Sequence, residues 1–329
     1  MKDKYRNSTV EILRLLFMYL IVVIHVFGHG YNVEWDKLFA LGLRNDTLAH
    51  FIIISLCSIG VPGFIFITGY FGLSFSWKKV MKLYLISCFY ELLILSVTHE
   101  LTLWRVFFQC VYPFENWWFL RDYMLLLVLS PIINTGYDCI DKRSQTIVVG
   151  SLMFITYMAY FIYGRHSHNI LLFVTIYLFA RYIKDRKELF QNLRGNTIFL
   201  IFLLILYIGI AVLVAKLGLR WDITFRWLSY NNILVLLICA SLVLWADRHP
   251  LNISWVNYLA SSSLAIYMLT DHELVRNFLD NMLLPTMFQY WGYLLCLLVC
   301  FVCLTIDKLR EFIFGCIGNM VITFRQHQH

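Results

Sequence analysis

The sequence predicts an all-α fold, a polytopic bundle of about ten transmembrane helices. Three observations predict it. Of 329 residues, 60% are hydrophobic and only 14% charged, against about half and about a quarter in an average soluble domain. A soluble fold buries at most about 75% of the surface its unfolded chain exposes, too little to hide this much apolar side chain. The apolar residues also fall into long runs with the charges gathered between them. A soluble enzyme, a disordered chain and a nucleic-acid binder do not fit such a composition.

The runs lie at 10–28, 48–71, 80–98, 117–135, 146–163, 168–184, 196–215, 229–246, 254–271 and 290–306. Each is near the about 20 residues that a helix needs to cross the hydrocarbon. Of the five prolines, only Pro62 and Pro131 fall inside a run, as expected where lipid offers no partner to a freed backbone amide. The first run holds Glu11, Arg14 and His25 and has no small-residue cleavage site after it, so it is a retained span rather than a signal peptide. In the second, Pro62 with Gly60, Gly63 and Gly69 predicts a kink and close helix contact. Cys57, Cys88, Cys239, Cys296, Cys300 and Cys303 lie in apolar runs, where a thiol behaves as a small hydrophobe. Cys300 and Cys303 form a CxxC without a second pair, which points to packing. With no linker, low-complexity tract or appended domain, residues 1–329 form one domain by this reading, and the helices are expected to act unaided.

Orientation follows from Lys and Arg. With the N-terminus inside, seventeen of the 27 lie in cytoplasmic segments, nine on the other side, and Arg14 within the first span. This bias predicts both termini in the cytoplasm and an even number of spans, and it accounts for most of the net charge of +7. The cluster at 181–194 is assigned to topology. The loop 216–228, with Lys216, Arg220 and Arg226 beside Trp221 and Trp227, suits either a snorkelling interfacial segment or an acidic-ligand surface.

Ionisable residues within the first span carry the sharpest functional signal. A charge at a helix centre costs about 2.5–3.5 kcal/mol on insertion, so such residues face protein or water. Arg14 and His25 are eleven residues apart and return to one helix face within about 20°, separated by about 16 Å. Glu11 lies one turn from Arg14 and is placed to pair with it. The bland alternative is an interfacial ion pair and an unrelated interhelical histidine. The shared face instead suits one wet passage, with an arginine at its inner end for an anionic group and a histidine further out as proton acceptor. His25 and His29 are four apart, but no HExxH or carboxylate ligand accompanies them, so no metal is expected.

Five segments in order now resemble the membrane acyltransferase 3 family. Glu11-Ile-Leu-Arg14 with His25 is similar to its opening helix, and Gly60-Val-Pro-Gly-Phe-Ile-Phe-Ile-Thr-Gly-Tyr70 to its second span. Lys78, Lys79 and Lys82 stand where the family usually has arginines. Trp117-Trp-Phe-Leu120 running to Leu129-Ser-Pro131, and Ser263-Leu-Ala-Ile-Tyr-Met-Leu-Thr-Asp-His272, resemble two later helices. The resemblance covers nearly the whole chain.

The resemblance implies an integral-membrane O-acyltransferase. It would move an acyl group, acetyl being the usual one, from cytoplasmic acyl-CoA to a hydroxyl of a cell-surface or secreted polysaccharide. The setting it implies is the cytoplasmic membrane of a bacterium. A small-molecule or glycan-intermediate transporter or flippase on the same bundle is the alternative, and a glycan-export accessory a third. Under the first reading, His25 is the general base, while a covalent acyl-histidine stays open. Arg14 is a candidate for the oxyanion and, with Lys78, Lys79 and Lys82, for the CoA phosphates, the lysines being equally explained as positive-inside charge. Trp117 and Trp118 would stack on a sugar or pantetheine, or form an interfacial belt. Tyr267, Asp271 and His272, with Arg276, would hold the acceptor or orient His25, or simply end a helix in water. Membrane lipid and a glycan acceptor are the expected partners, nucleic acid is not, and self-assembly is open.

Overall fold

One helix forms the central post. In the computed structural model, which describes residues 6–29, 45–163, 169–188, 196–217, 230–283, 286 and 289–326, α1 spans Ser8–Ile24 and continues as a π-helical turn His25–His29. The Asn7 side chain caps it, accepting the Thr9 N–H at 3.0 Å while its amide donates to Ala246 O at 2.9 Å. Ser8 adds an N–H bond to Leu251 O and a hydroxyl bond to Asn257. The start of α1 is thereby tied to the 246–257 segment, and its Phe17, Met18, Ile21 and Val22 are buried while Ile12 and Leu16 are exposed.

The remaining helices are α2 Asn45–Cys57, α3 Gly60–Phe71, α4 Trp77–Val97, α5 Leu103–Val111, α6 Trp118–Cys139, α7 Lys142–Tyr163 and α8 Ile170–Asp185. They continue as α9 Asn196–Lys216, α10 Ile233–Arg248, α11 Ser254–Ala260, α12 Ser263–Asp271, α13 Glu273–Leu283 and α14 Tyr290–Gln326. Among the described residues there is no strand. α1 packs against α2, α3, α10, α11, α12 and α14.

Among the described residues, six segments are long and apolar enough to cross a membrane: Ser8–Phe27, Thr47–Phe71, Trp77–Val97, Lys142–Ile162, Asn196–Lys216 and Tyr290–Cys316. The first two are 67% and 78% buried within the protein and the other four at most 33%, so α1 to α3 form the centre and α4, α7, α9 and α14 the rim. The rim turns Leu85, Phe154, Ile198, Phe202, Leu294 and Phe301 outward, a surface suited to lipid and not to water. The other four predicted runs are helical but fall short of this measure. α6 carries Arg121, Asp122 and Asp138, α8 and α10 have 16 residues each, and the run at 254–271 is split into α11 and α12. Three successive serines, Ser261 to Ser263, sit at that split, where the Ser261 hydroxyl turns back to Tyr258 O at 2.7 Å.

Both prolines have identifiable compensation. Pro62, in the first turn of α3, cannot share a helix with the carbonyl four residues earlier, so the chain breaks at Ser58–Ile59 between α2 and α3. The Tyr207 hydroxyl then donates to Ser55 O at 2.9 Å and lies 2.8 Å from Ser58 Oγ. Pro131 stays inside α6, and the Leu127 carbonyl it leaves without an amide receives the Ser130 hydroxyl at 2.8 Å. The Ser-Pro pair is thus a local hydrogen-bond repair.

The glycines of α3 permit close approach. A Cβ on Gly63 would lie 2.5 Å from the Phe17 ring, and one on Gly69 2.6 Å from Tyr177 O, so α3 is wedged between α1 and α8. Gly63→Ala is expected to cost about 1–3 kcal/mol through overpacking, read as a lower thermal midpoint of the purified protein. Gly136→Ala on α6, where a Cβ meets nothing within 4 Å, should leave the midpoint unchanged or raise it.

Candidate active site

The π turn at the end of α1 delivers His25 to the last turn of α12. His25 is buried at 5% exposure. Its Nδ1 lies 3.3 Å from Thr270 Oγ1 and its Nε2 3.4 Å from Asp271 Oδ1. Thr270 commits its one hydroxyl proton to Ile266 O at 2.8 Å, so its oxygen accepts from Nδ1–H. In the neutral ring that leaves Nε2 as the basic atom, beside a carboxylate that would stabilise the imidazolium. Asp271 ends α12, where the helix dipole disfavours negative charge. Arg276 NH1 approaches to 3.9 Å, and the buried Oδ2 has no hydrogen-bond partner.

Tyr267, Asp271 and His272 are all buried, so this segment is not a helix end emerging into water. Asp271 and His272 instead form the floor of a polar basin of about 850 Å³, walled by Glu91, Arg105, Gln109, Asn116, Trp118 and Arg276 among others. His272 accepts the Leu274 N–H at Nδ1 (3.3 Å), and its Nε2 lies 3.3 Å from Glu91 Oε1 and 3.2 Å from Asn116 Nδ2. The Asn116 amide donates to both Glu91 oxygens at 3.3 and 3.4 Å. Glu91 is itself only 1% exposed, so this cluster is a rigid wall.

The two tryptophans separate. Trp118 lines the basin. Trp117 is wholly buried, its indole N–H donates to Met268 O at 2.9 Å, and its ring meets His272 edge-on. Its faces are spent on packing, and it has no open surface on which to stack a sugar. Tyr267 likewise serves as structure: its oxygen accepts the Phe119 N–H at 3.1 Å, one of the amides that a helix start leaves unpaired.

Arg14 is held at the other end of α1. Its NH1 bonds both Glu11 oxygens at 2.7 and 2.8 Å, Arg6 reaches the same carboxylate at 2.7 Å, and its guanidinium lies 5.9 Å above the Phe64 ring. The pairing expected with Glu11 is present. The expected open passage to His25 is not what joins them. Phe64 meets Phe119 at 5.7 Å, Phe119 meets Tyr267 at 5.3 Å, and Tyr267 meets His25 at 6.0 Å. Both residues do face this side of α1, but a layer of rings fills the interval, because α3, α6 and α12 each contribute an aromatic side chain there.

A second cavity, about 250 Å³, opens on the Arg14 side of that layer. Lys79, Lys82 and Arg310 line it with Tyr90, Tyr123 and Asp307. Asp307 fixes Arg310 at 2.7 Å and accepts from the Tyr90 hydroxyl at 2.6 Å. Lys79 reaches Ser74 at 3.0 Å. Lys78 is exposed and lies outside the lining, as does Arg14. The loop flagged at 216–228 lies, beyond Leu217, outside the described residues, as does the His29 side chain.

Sequence reasoning missed Glu91, Asn116, Thr270 and Arg310. Glu91 had the same signal as Arg14, a lone ionisable residue in an apolar run. Arg310 was counted only as topology, although its i,i+3 spacing from Asp307 was visible. Asn116 and Thr270 carried no signal, since their importance comes from residues far away in the chain.

Comparison with curated proteins and with solved structures gives no match. The sequence model of the acyltransferase 3 family, described as an acyltransferase domain, matches residues 7–308. That stretch takes in the Glu11–Arg14 pair, His25, the polar basin and the lining of the cationic cavity apart from Arg310 and Glu311, and the chain belongs to the acyltransferase 3 family of membrane acyltransferases.

Proposed function

We propose that this protein transfers an acyl group, acetyl before others, from cytoplasmic acyl-CoA to a hydroxyl of a cell-surface or secreted polysaccharide across a bacterial cytoplasmic membrane. The observation that carries this reading is the buried His25, its Nε2 3.4 Å from Asp271 where Asp271 meets the polar basin. Ten spans with both termini in the cytoplasm fit it, since the Lys and Arg bias then puts the cationic cavity on the donor side and the basin on the far side.

Lys79, Lys82 and Arg310 suit the phosphates of CoA, with exposed Lys78 at the mouth. Arginine offers a planar fork and lysine a point charge. Arg14, tied to Glu11 and covered by Phe64, belongs to the donor side in this reading rather than to the oxyanion. The acyl thioester supplies an activated carbonyl. His25 takes the acceptor's hydroxyl proton at Nε2 while the hydroxyl oxygen bonds to the carbonyl carbon. The C–S bond then breaks, and the imidazolium returns the proton to the departing sulfur. Asp271 holds the imidazolium in between and is a positioning residue. Trp118, His272 and Glu91 shape the acceptor's chamber, and direct transfer is favoured over an acyl-enzyme.

His25→Ala, present in the membrane at normal amount, should lose transfer from labelled acetyl-CoA to envelope polysaccharide by about 10²–10⁴-fold, the usual worth of a positioned base. Wild-type transfer by that variant would remove His25 from the mechanism. Solute uptake without acyl donor, with no ester formed, would favour the transporter. A Lys79→Ala/Lys82→Ala double variant should raise the KM for acetyl-CoA by about tenfold with kcat unchanged. The difference should shrink at high salt, and steady-state kinetics at two ionic strengths checks it.

A further inference from the structure

The helix α13 divides two environments. Its Arg276 and Asn277 line the polar basin, while its Val275, Phe278, Leu279 and Met282 wall a separate groove of about 460 Å³. The groove is completed by apolar residues of α4, α12 and α14, including Ile94, Leu269, Leu298 and Val302. We propose that this groove holds the hydrocarbon tail of a lipid-anchored acceptor whose saccharide head lies in the basin. The proposal rests on the acyltransfer reading above and specifies its substrate.

Three observations carry it. First, the groove and the basin meet at consecutive residues of α12: Thr270 lines the groove and Asp271 the basin. Second, those same two side chains contact the two nitrogens of His25, so one side chain stands between each chamber and the proposed base. Third, the groove follows α14 from Leu298 to Ile306, about 12 Å at about 1.5 Å per residue. It therefore runs along the spans as a lipid tail does. A free polysaccharide has nothing to place there, and a free hydrocarbon has no use for the basin. One molecule with both parts, joined near its reacting hydroxyl, uses each.

The test gives the full chain, in nanodiscs of synthetic phospholipid, acetyl-CoA and one of two acceptors. One is a dodecyl glucoside with a photoreactive diazirine in its alkyl chain, the other methyl glucoside. The alkyl acceptor should show a KM at least about tenfold lower, since burying two methylenes is already worth that factor. Val302→Trp and, independently, Leu298→Trp place a ring in the groove at lipid-exposed positions and should abolish the difference, with methyl glucoside turnover unchanged. Photolabel should fall on α12, α13 and α14 groove residues and be lost in both variants. Equal KM values, or label spread evenly over lipid-facing α7 and α9 and unaffected by the tryptophans, would overturn the proposal and leave ordinary annular lipid as the occupant. If neither glucoside gains an ester, the sugar-hydroxyl reading fails, and the position of the label still decides the groove.

Discussion

Hydrocarbon offers a polar group nothing to bond to, and a buried polar atom without a partner costs several kcal/mol. This protein meets that demand pairwise around α1. Glu11 is matched by two arginines, Glu91 by His272 and Asn116, the break before Pro62 by Tyr207 and the carbonyl that Pro131 leaves open by Ser130. Against this background the unmatched atoms are informative. Of the seven buried side-chain atoms without a hydrogen-bond partner among the described residues, two, Asp271 Oδ2 and Gln109 Oε1, belong to residues that line the polar basin. An acceptor's hydroxyls are the kind of group that would complete them.

The same constraint explains why the two chambers do not merge. A continuous wet channel through the bundle would let water and protons leak along it. The rings of Phe64, Phe119 and Tyr267 fill the interval between Arg14 and His25 with polarisable but non-hydrolytic surface. Tyr267 is the residue common to barrier and base, since its ring touches both Phe119 and His25. In the proposed reaction the donor's arm has to displace these rings to reach His25, and the exclusion of water strengthens the His25–Asp271 interaction.

How much of this was legible in the sequence depends on whether the signal was local. Glu11, Arg14 and His25 stood out because ionisable residues in an apolar run are costly on any insertion scale, and the break beside Pro62 follows from proline chemistry alone. The short helices α5 and α13 were not found by looking for apolar runs: α13 alternates Glu273, Arg276, Asn277 and Asp280 with apolar residues. The burial of Asp271 and His272 was also hidden, because the sequence cannot show that α4 brings Glu91 from about 180 positions away to cover them. The ring layer is the clearest case. Each aromatic had an ordinary reading by itself, and only α3, α6 and α12 together make a barrier.

The end of α12 meets the polar basin, the apolar groove and His25. Neighbouring residues on a helix point about 100° apart, so Thr270 and Asp271 cannot face the same way. One looks toward apolar α13 and α14, the other toward the basin. Yet the π turn sets His25 where it meets both, at 3.3 Å and 3.4 Å. A wider turn at the close of α1 is therefore what allows one imidazole to bridge an apolar wall and a polar floor. In the proposed reaction the threonine fixes which nitrogen is protonated, and the aspartate holds the charge that the other acquires. Helix termination right after Asp271 then frees the His272 segment to turn and seal the floor with Glu91. Orienting groups and chamber wall thus come from one short stretch of chain whose geometry is set by where its helix stops, and the close of α1 brings the imidazole to it.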